Sequence, residues 1–351
     1  MVVIPTIGGI SSLIIEKIEI PPIVGMTKKL SLMNSRRIIF LLLFILFLIG
    51  SCTNKSATNQ PKKVAVIVST LNNPWFVVLA ETAAAQAKAL GYETKIFDSQ
   101  NNTALESDHF ENAIVSGFNA ILLNPTDSDG SIVNARKAIE AGIPVFCMDR
   151  EVNSPQAATC QILSDNYSGC VAIGKYFVQT LRTKAKDAPI NYVEILGLVG
   201  DNNTWNRSKG FHSVVDQYPN FKMVAQQSAD FDRNKAMEVL ESILQAHPDV
   251  NAVFCGNDAM AMGAYQALVA AGKAKDVAVF GFDGADDVMN SIRDGKIKAT
   301  GLQSPQTMAK TAAEFADAYF KGKRDFAKKI PVAVELVDQA NIKDYPTAKK
   351  S

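Results

Sequence analysis

Charged and amide side chains in this 351-residue chain recur directly after short apolar runs, and their types define the chemistry open to it. Asn73 follows the run 64–69 within a short loop, Asn124 closes Ala-Ile-Leu-Leu-Asn, and Asp149 and Arg150 follow Val-Phe-Cys-Met. Asn257 comes after Val-Phe-Cys-Gly, Asp283 after Val-Phe-Gly-Phe, and Gln303 after Thr-Gly-Leu. The aromatics Trp75, Phe76 and Phe231 join them, as does Arg207 at an expected helix start. A carboxylate accepts from two neighbouring hydroxyls, a guanidinium donates two parallel bonds, and a carboxamide does one of each. Flat aromatic rings cover weakly apolar C–H faces. This set suits a small polyhydroxylated molecule. It contains no Ser–His, Cys–His or metal-ligand pairing, so the groups read as binders and not as catalysts.

Each residue also has a plainer role. Asn73 and Asn124 precede prolines, where turn and cap residues are common, and Asp283-Gly284 is an ordinary turn pair. Trp75 and Phe76 at the head of a helix would serve equally as core. Asp149-Arg150 carries more weight, because charges beside a buried strand demand partners. His109, His212 and His247 lack ligand spacing and no CxxC occurs, which argues against zinc. There is no Walker A or GxGxxG at a strand–helix turn. The acidic turns 127–129 and 283–287 lack the distal bidentate Glu of a calcium loop. No cofactor is expected.

Those residues need elements to position them. Eleven β-branched or apolar runs read as strands: 64–69, 94–97, 120–123, 144–148, 159–163, 192–196, 223–226, 252–255, 277–280, 299–302 and 332–337. Amphipathic segments such as 75–90, 131–141, 169–181 and 259–271 lie between them. Strands alternating with helices mean βαβ units and parallel sheets. Near-continuous apolarity within strands implies helices on both faces. Eleven strands exceed one such sheet in this length, so the expected fold is α/β with two doubly wound, Rossmann-like lobes. Ligands of open α/β sheets bind outside the carboxyl ends of the strands, which is where the polar residues fall.

The N-terminal stretch reads as targeting sequence. Lys28, Lys29, Arg36 and Arg37 precede twelve apolar residues from 38 to 49, then Gly50-Ser51-Cys52. A spanning helix needs roughly 20 apolar residues, and basic flank, short core and small residues are the layout of a secretory signal. The ending Ile49-Gly50-Ser51-Cys52 resembles a bacterial lipobox, which makes Cys52 the acylated first residue after cleavage. Residues 1–25 fit neither reading, and Met26 or Met33 would begin a conventional signal. The polar stretch 53–63 is a flexible tether. Beyond residue 51 there are 31 basic and 33 acidic residues; a net charge near neutrality argues against nucleic acid as partner. Cys147 and Cys255 sit in apolar strands as buried thiols. Cys160 and Cys170 would pair only with close, suitably directed Cβ atoms.

From about residue 63 to residue 337 the chain resembles the ribose-binding proteins of the type I periplasmic binding family. The matching motifs are VSTLNNPWF at 68–76, FDSQNN at 97–102, LLNPTDSD at 122–129, PVFCMDR at 144–150 and LSDN at 163–166. They continue with ADFDR at 229–233, AHPDVNAVFCGNDAMAMGA at 246–264, VFGFDG at 279–284 and GLQSP at 301–305. The resemblance implies a ligand held by Asn73, Trp75, Phe76, Asn124, Asp149 and Arg150 from one lobe. Arg207, Phe231, Asn257, Asp283 and Gln303 complete the site. Two departures stand out: Trp75 replaces the usual Phe, and GDNNTWNRSKGF at 200–211 adds Trp205 beside Arg207. Both enlarge aromatic surface at the cleft, so the expected ligand is a ribose-like monosaccharide or a small linear polyol such as xylitol, threitol or erythritol.

The family architecture implies lobes at 63–164 with 304–332 and at 165–303 with 333–347, joined by three hinge crossings. It also implies a monomer, periplasmic or cell-surface, anchored at Cys52 and serving the permease of an ABC importer. A sensor feeding a chemotaxis or signalling receptor shares the same binding chemistry and stands as the alternative. A DNA-binding repressor of this fold would need a basic headpiece where the signal stands.

Overall fold

The computed structural model describes residues 61–185 and 188–346. The signal, Cys52 and most of the tether lie outside the described residues.

The first sheet comprises β1 (Lys63–Val68), β2 (Glu93–Asp98), β3 (Ala120–Asn124), β4 (Val145–Met148), β5 (Cys160–Ser164) and the late strand β11 (Lys329–Val332). Its order is β11-β5-β4-β3-β1-β2 and every pairing is parallel. The alternation of side chains along a strand, with helices on both faces, explains why the inner strands β1, β3 and β4 are apolar almost throughout, while the edge strands β2 and β11 carry Glu93, Lys95 and Lys329. Val64, Val66 and Val68 pack against helices α1 (Pro74–Ala89) and α9 (Pro305–Phe320). Ala65 and Ile67 face α2 (Thr103–Val115) and α3 (Ile132–Glu140) on the other side.

The second sheet repeats the scheme with β6 (Ile190–Leu196), β7 (Phe221–Ser228), β8 (Ala252–Cys255), β9 (Ala278–Phe280), β10 (Ala299–Leu302) and β12 (Glu335–Asp338). The order is β12-β10-β9-β8-β6-β7, parallel except for the β10–β12 edge pair. Val253 and Cys255 meet α6 (Arg233–Ala246) and α7 (Asp258–Ala270). Ala252 and Phe254 meet α4 (Asn166–Ala185) and α5 (Asn202–Val215). The short α8 (Asp286–Arg293) follows β9. The two-lobed α/β architecture is the expected fold class.

One expectation needs correcting. The run 332–337 is not one strand. It divides at Ala333-Val334, its first part pairing with β5 of one sheet and its second with β10 of the other. The described residues therefore hold twelve strands, and this division is one place where the chain passes between sheets. The Val334 side chain lies against Gly169 and Gly301, where any Cβ would come within 2.7 and 3.2 Å of its Cγ1. Cys147, Cys160, Cys170 and Cys255 are all buried and free, so Cys160 and Cys170 are unpaired. Cys160 sits in β5 and Cys170 in α4, which follows it and packs on the other sheet.

Candidate functional site: a cleft between two sheets

The strand order reverses between β1 and β3 in one sheet and between β6 and β8 in the other. Such switch points open a crevice at the carboxyl ends of the strands, and the polar residues converge there. Asn73 caps α1, its Oδ1 accepting from Trp75 N at 3.0 Å, so cap and cleft residue are one. Trp75 and Phe76 stand edge to face, with centroids 5.4 Å apart. Asp149 takes φ 65°, in the left-handed region that costs a non-glycine residue energy. Phe231 (φ 61°) and Asp283 (φ 130°) in the other lobe are held likewise. Three strained residues on one small cavity mark it as a functional site.

Arg150 is 2% exposed. Its Nη1 donates to Pro125 O at 3.3 Å, and its guanidinium lies over Phe76 (4.9 Å) and over Phe231 of the other lobe (5.5 Å). Its anionic partner is Asp201, whose Oδ2 lies 2.7 Å from Nε. That contact is an ion pair and not a directed hydrogen bond, since the N–H does not point along it. Asp201 reaches the arginine because it caps α5 at the facing edge of the other lobe.

The second lobe builds its half in the same way. Arg207 donates from Nε to Asn166 Oδ1 (2.7 Å) and from Nη1 to Gly256 O (2.6 Å), with Asp283 Oδ1 at 3.4 Å. It stacks over Phe282 at 4.0 Å. Asn257 caps α7 through Met260 N and donates to Phe231 O. Gly197 makes room for the Phe231 ring, which would lie 2.0 Å from any Cβ there. Gln303 Nε2 donates to Asp283 Oδ1 at 2.7 Å. The turn carrying Asp283 is fixed by buried Asp258, which accepts from Ala285 N and Thr300 Oγ1.

Ten of the twelve residues singled out by sequence line this cavity. The two others are placed elsewhere. Asn124 is fully buried behind it, accepting from Ser69 Oγ (2.7 Å) and donating to Asp149 Oδ2 (3.3 Å); it positions Asp149. Trp205 is 39% exposed and its indole donates to Val199 O, because its helix turns that face outward. It does not shape the cleft. Sequence reasoning missed Asp201 and Asn203, which do line it. The available signal was the cap position of Asp201, two residues before Asn203 N, to which it is bonded.

The cavity is small, with about 230 Å³ of space not filled by protein atoms. Three buried polar atoms on the lining residues have neither a hydrogen-bond nor an ion-pair partner among the described residues: Trp75 Nε1, Asp149 Oδ1 and Gln303 Oε1. One is a pure donor and two are acceptors, a combination that hydroxyl groups satisfy. Burial first pushes Asp149 up to about 7, with Arg207 opposing and Asp201 adding to the rise. Asp283 is also raised by burial, against the pull of Arg207.

Residues 64–324 match the family model of the periplasmic binding protein domain, and the chain belongs to that family. Within it, the D-apiose import binding protein of Paraburkholderia graminis is 44% identical over 279 residues, 79% of this chain and 88% of that protein. The ribose import binding protein of Escherichia coli is 40% identical over 274 residues, 78% and 90% of the two chains. Among solved structures, an ABC transporter solute binding protein from Mycobacterium smegmatis with bound glycerol superposes with a TM-score of 0.77 at 30% identity. That match covers 83% of this chain and 98% of the other. The chain is thus a ribose-binding-like member of the type I periplasmic binding proteins.

The raised carboxyls predict how closure responds to pH. In the closed cleft their values lie above the ordinary 3.8, so closing takes up protons. The electrostatic cost of closing sugar-free is fully present above about pH 7 and is relieved as pH falls toward 4. Distances between labels on the two lobes of sugar-free protein should shift toward the closed value between about pH 8 and pH 5. A distribution independent of pH would contradict this reading of Asp149 and Asp283.

Proposed function

We propose that this chain is the extracytoplasmic solute-binding lipoprotein of an ABC importer, taking a ribose-like monosaccharide or a small linear polyol into the cleft between its lobes. The observation that carries the ligand class is the trio of partnerless buried atoms on Trp75, Asp149 and Gln303, set among two carboxylates and two arginines. A hydroxyl donates to either carboxylate while accepting from an arginine or the Trp75 indole. Phe76, Phe231 and Trp75 present faces and edges for the C–H surface of a ring. The small cavity favours four to six carbons over a disaccharide.

Asn73, Trp75, Phe76, Asp149 and Arg150 supply one wall; Arg207, Phe231, Asn257, Asp283 and Gln303 supply the other. Asn124 acts through Asp149. The names of the relatives point the same way: two are import proteins for five-carbon sugars, D-apiose and ribose. Import also explains a tethered receptor, since Cys52, once acylated, would keep the domain beside permease subunits. The domain works as a monomer on this reading, closing by bending at its three crossings.

A thermal-shift panel of D-ribose, D-apiose, L-arabinose, hexoses and C4–C6 polyols tests the ligand class. A ligand at 100 times its dissociation constant should add about 2.7 kcal/mol of stability. Stabilisation by none of them, or by amino acids instead, would remove the sugar reading. Anchoring has its own test: Cys52→Ala should release the protein from the membrane fraction of expressing cells, whereas continued sedimentation would rule out a lipid on that residue.

A further inference from the structure

The rim of the second lobe touches the first at points that no sugar in the cavity would occupy. Gly200 O accepts from Ser128 N at 2.9 Å, and Asn202 N donates to Ser128 Oγ at 3.2 Å. The Asn202 carboxamide donates twice, to Glu151 Oε1 at 2.7 Å and to Asn153 Oδ1 at 2.5 Å. These bonds run from protein to protein, and neither Gly200 nor Asn202 lines the ligand cavity.

The receiving surface on the first lobe is built in advance. Asp127 Oδ1 accepts from Asp129 N and Gly130 N, which fixes the loop after β3. Asn153 is tied to Asp129 Oδ1 through Nδ2 and to Ser128 O through its own N–H. The second oxygen of Glu151 pairs with Lys329. Four acceptors and donors are thus held at the spacing that residues 200–202 present, so little order is lost when the lobes meet. Gly200 permits the approach. A Cβ at that position would lie 1.9 Å from Asp127 Oδ2, although its φ is outside the left-handed region and suits any residue. Only the meeting of the lobes demands glycine there.

We propose that Gly200 and Asn202 are affinity-setting residues that form a clasp between the lobes and stabilise the closed form without touching sugar. The inference rests on closure of the lobes around a sugar as proposed above. Where the binding-competent form is only partly populated, apparent affinity scales with that population. Loss of a clasp bond therefore weakens binding through faster release.

Gly200→Ala tests this with a wedge that meets nothing when the lobes are apart. On the full chain, label distances between lobes without sugar should lose closed population relative to wild type. D-ribose and D-apiose should bind about tenfold more weakly, mainly through faster dissociation, as expected for loss of one or two hydrogen bonds. The melting temperature of the sugar-free variant should stay unchanged, which a folding defect would not allow. Asn202→Ala should act in the same direction. Unchanged closed population and dissociation in Gly200→Ala would overturn the clasp. If neither sugar binds wild-type protein, the ligand reading fails, while the sugar-free distances still decide the clasp.

Discussion

Two buried arginines and the carboxylates around them are the constraint on which the cleft depends. Arg150 and Arg207 are 2% and 3% exposed, and neither lobe can neutralise its own arginine with good geometry. Arg150 finds Asp201 across the cleft, and Asp149 beside it keeps one oxygen unmatched. Arg207 has Asp283 at 3.4 Å, a distance too long for a strong hydrogen bond. Charges taken out of water need every bond satisfied or they cost several kcal/mol each. On the proposed reading, a hydroxylated ligand supplies the missing donors and acceptors, which would make closure and recognition one event.

The folds of both lobes serve that arrangement. Strands buried on both faces end at a common edge, and the reversal of strand order at β1/β3 and β6/β8 parts the helices there. Helix caps double as site residues: Asn73, Asp201 and Asn257 each satisfy a helix N-terminus while standing in the cavity wall. The backbone strain at Asp149, Phe231 and Asp283 is borne by deeper polar supports such as Asn124 and Asp258.

Much of this could be read from residues alone, because strand ends in a parallel sheet are marked by a change from apolar to polar. That change located Asp149, Asn257, Asp283 and Gln303. It misplaced Asn124, since a strand-terminal amide can point inward to brace a neighbour as easily as outward to a ligand. Trp205 misled for a different reason: one position along a helix turns a side chain by about 100°, which composition does not reveal. Asp201 was legible as a helix cap, but a cap position alone does not say that the residue also faces a second lobe. The division of the run 332–337 was equally hidden, since both halves carry strand-like residues and only their pairing differs.

The central claim is that one ligand is held by carboxylates from both lobes. Calorimetric titration of the preferred sugar into Asp149→Asn and Asp283→Asn measures this directly. The account predicts that each substitution weakens binding by about 2–3 kcal/mol, as for hydrogen bonds to a charged group, with the sugar-free proteins still folded. Wild-type affinity in either variant would contradict it.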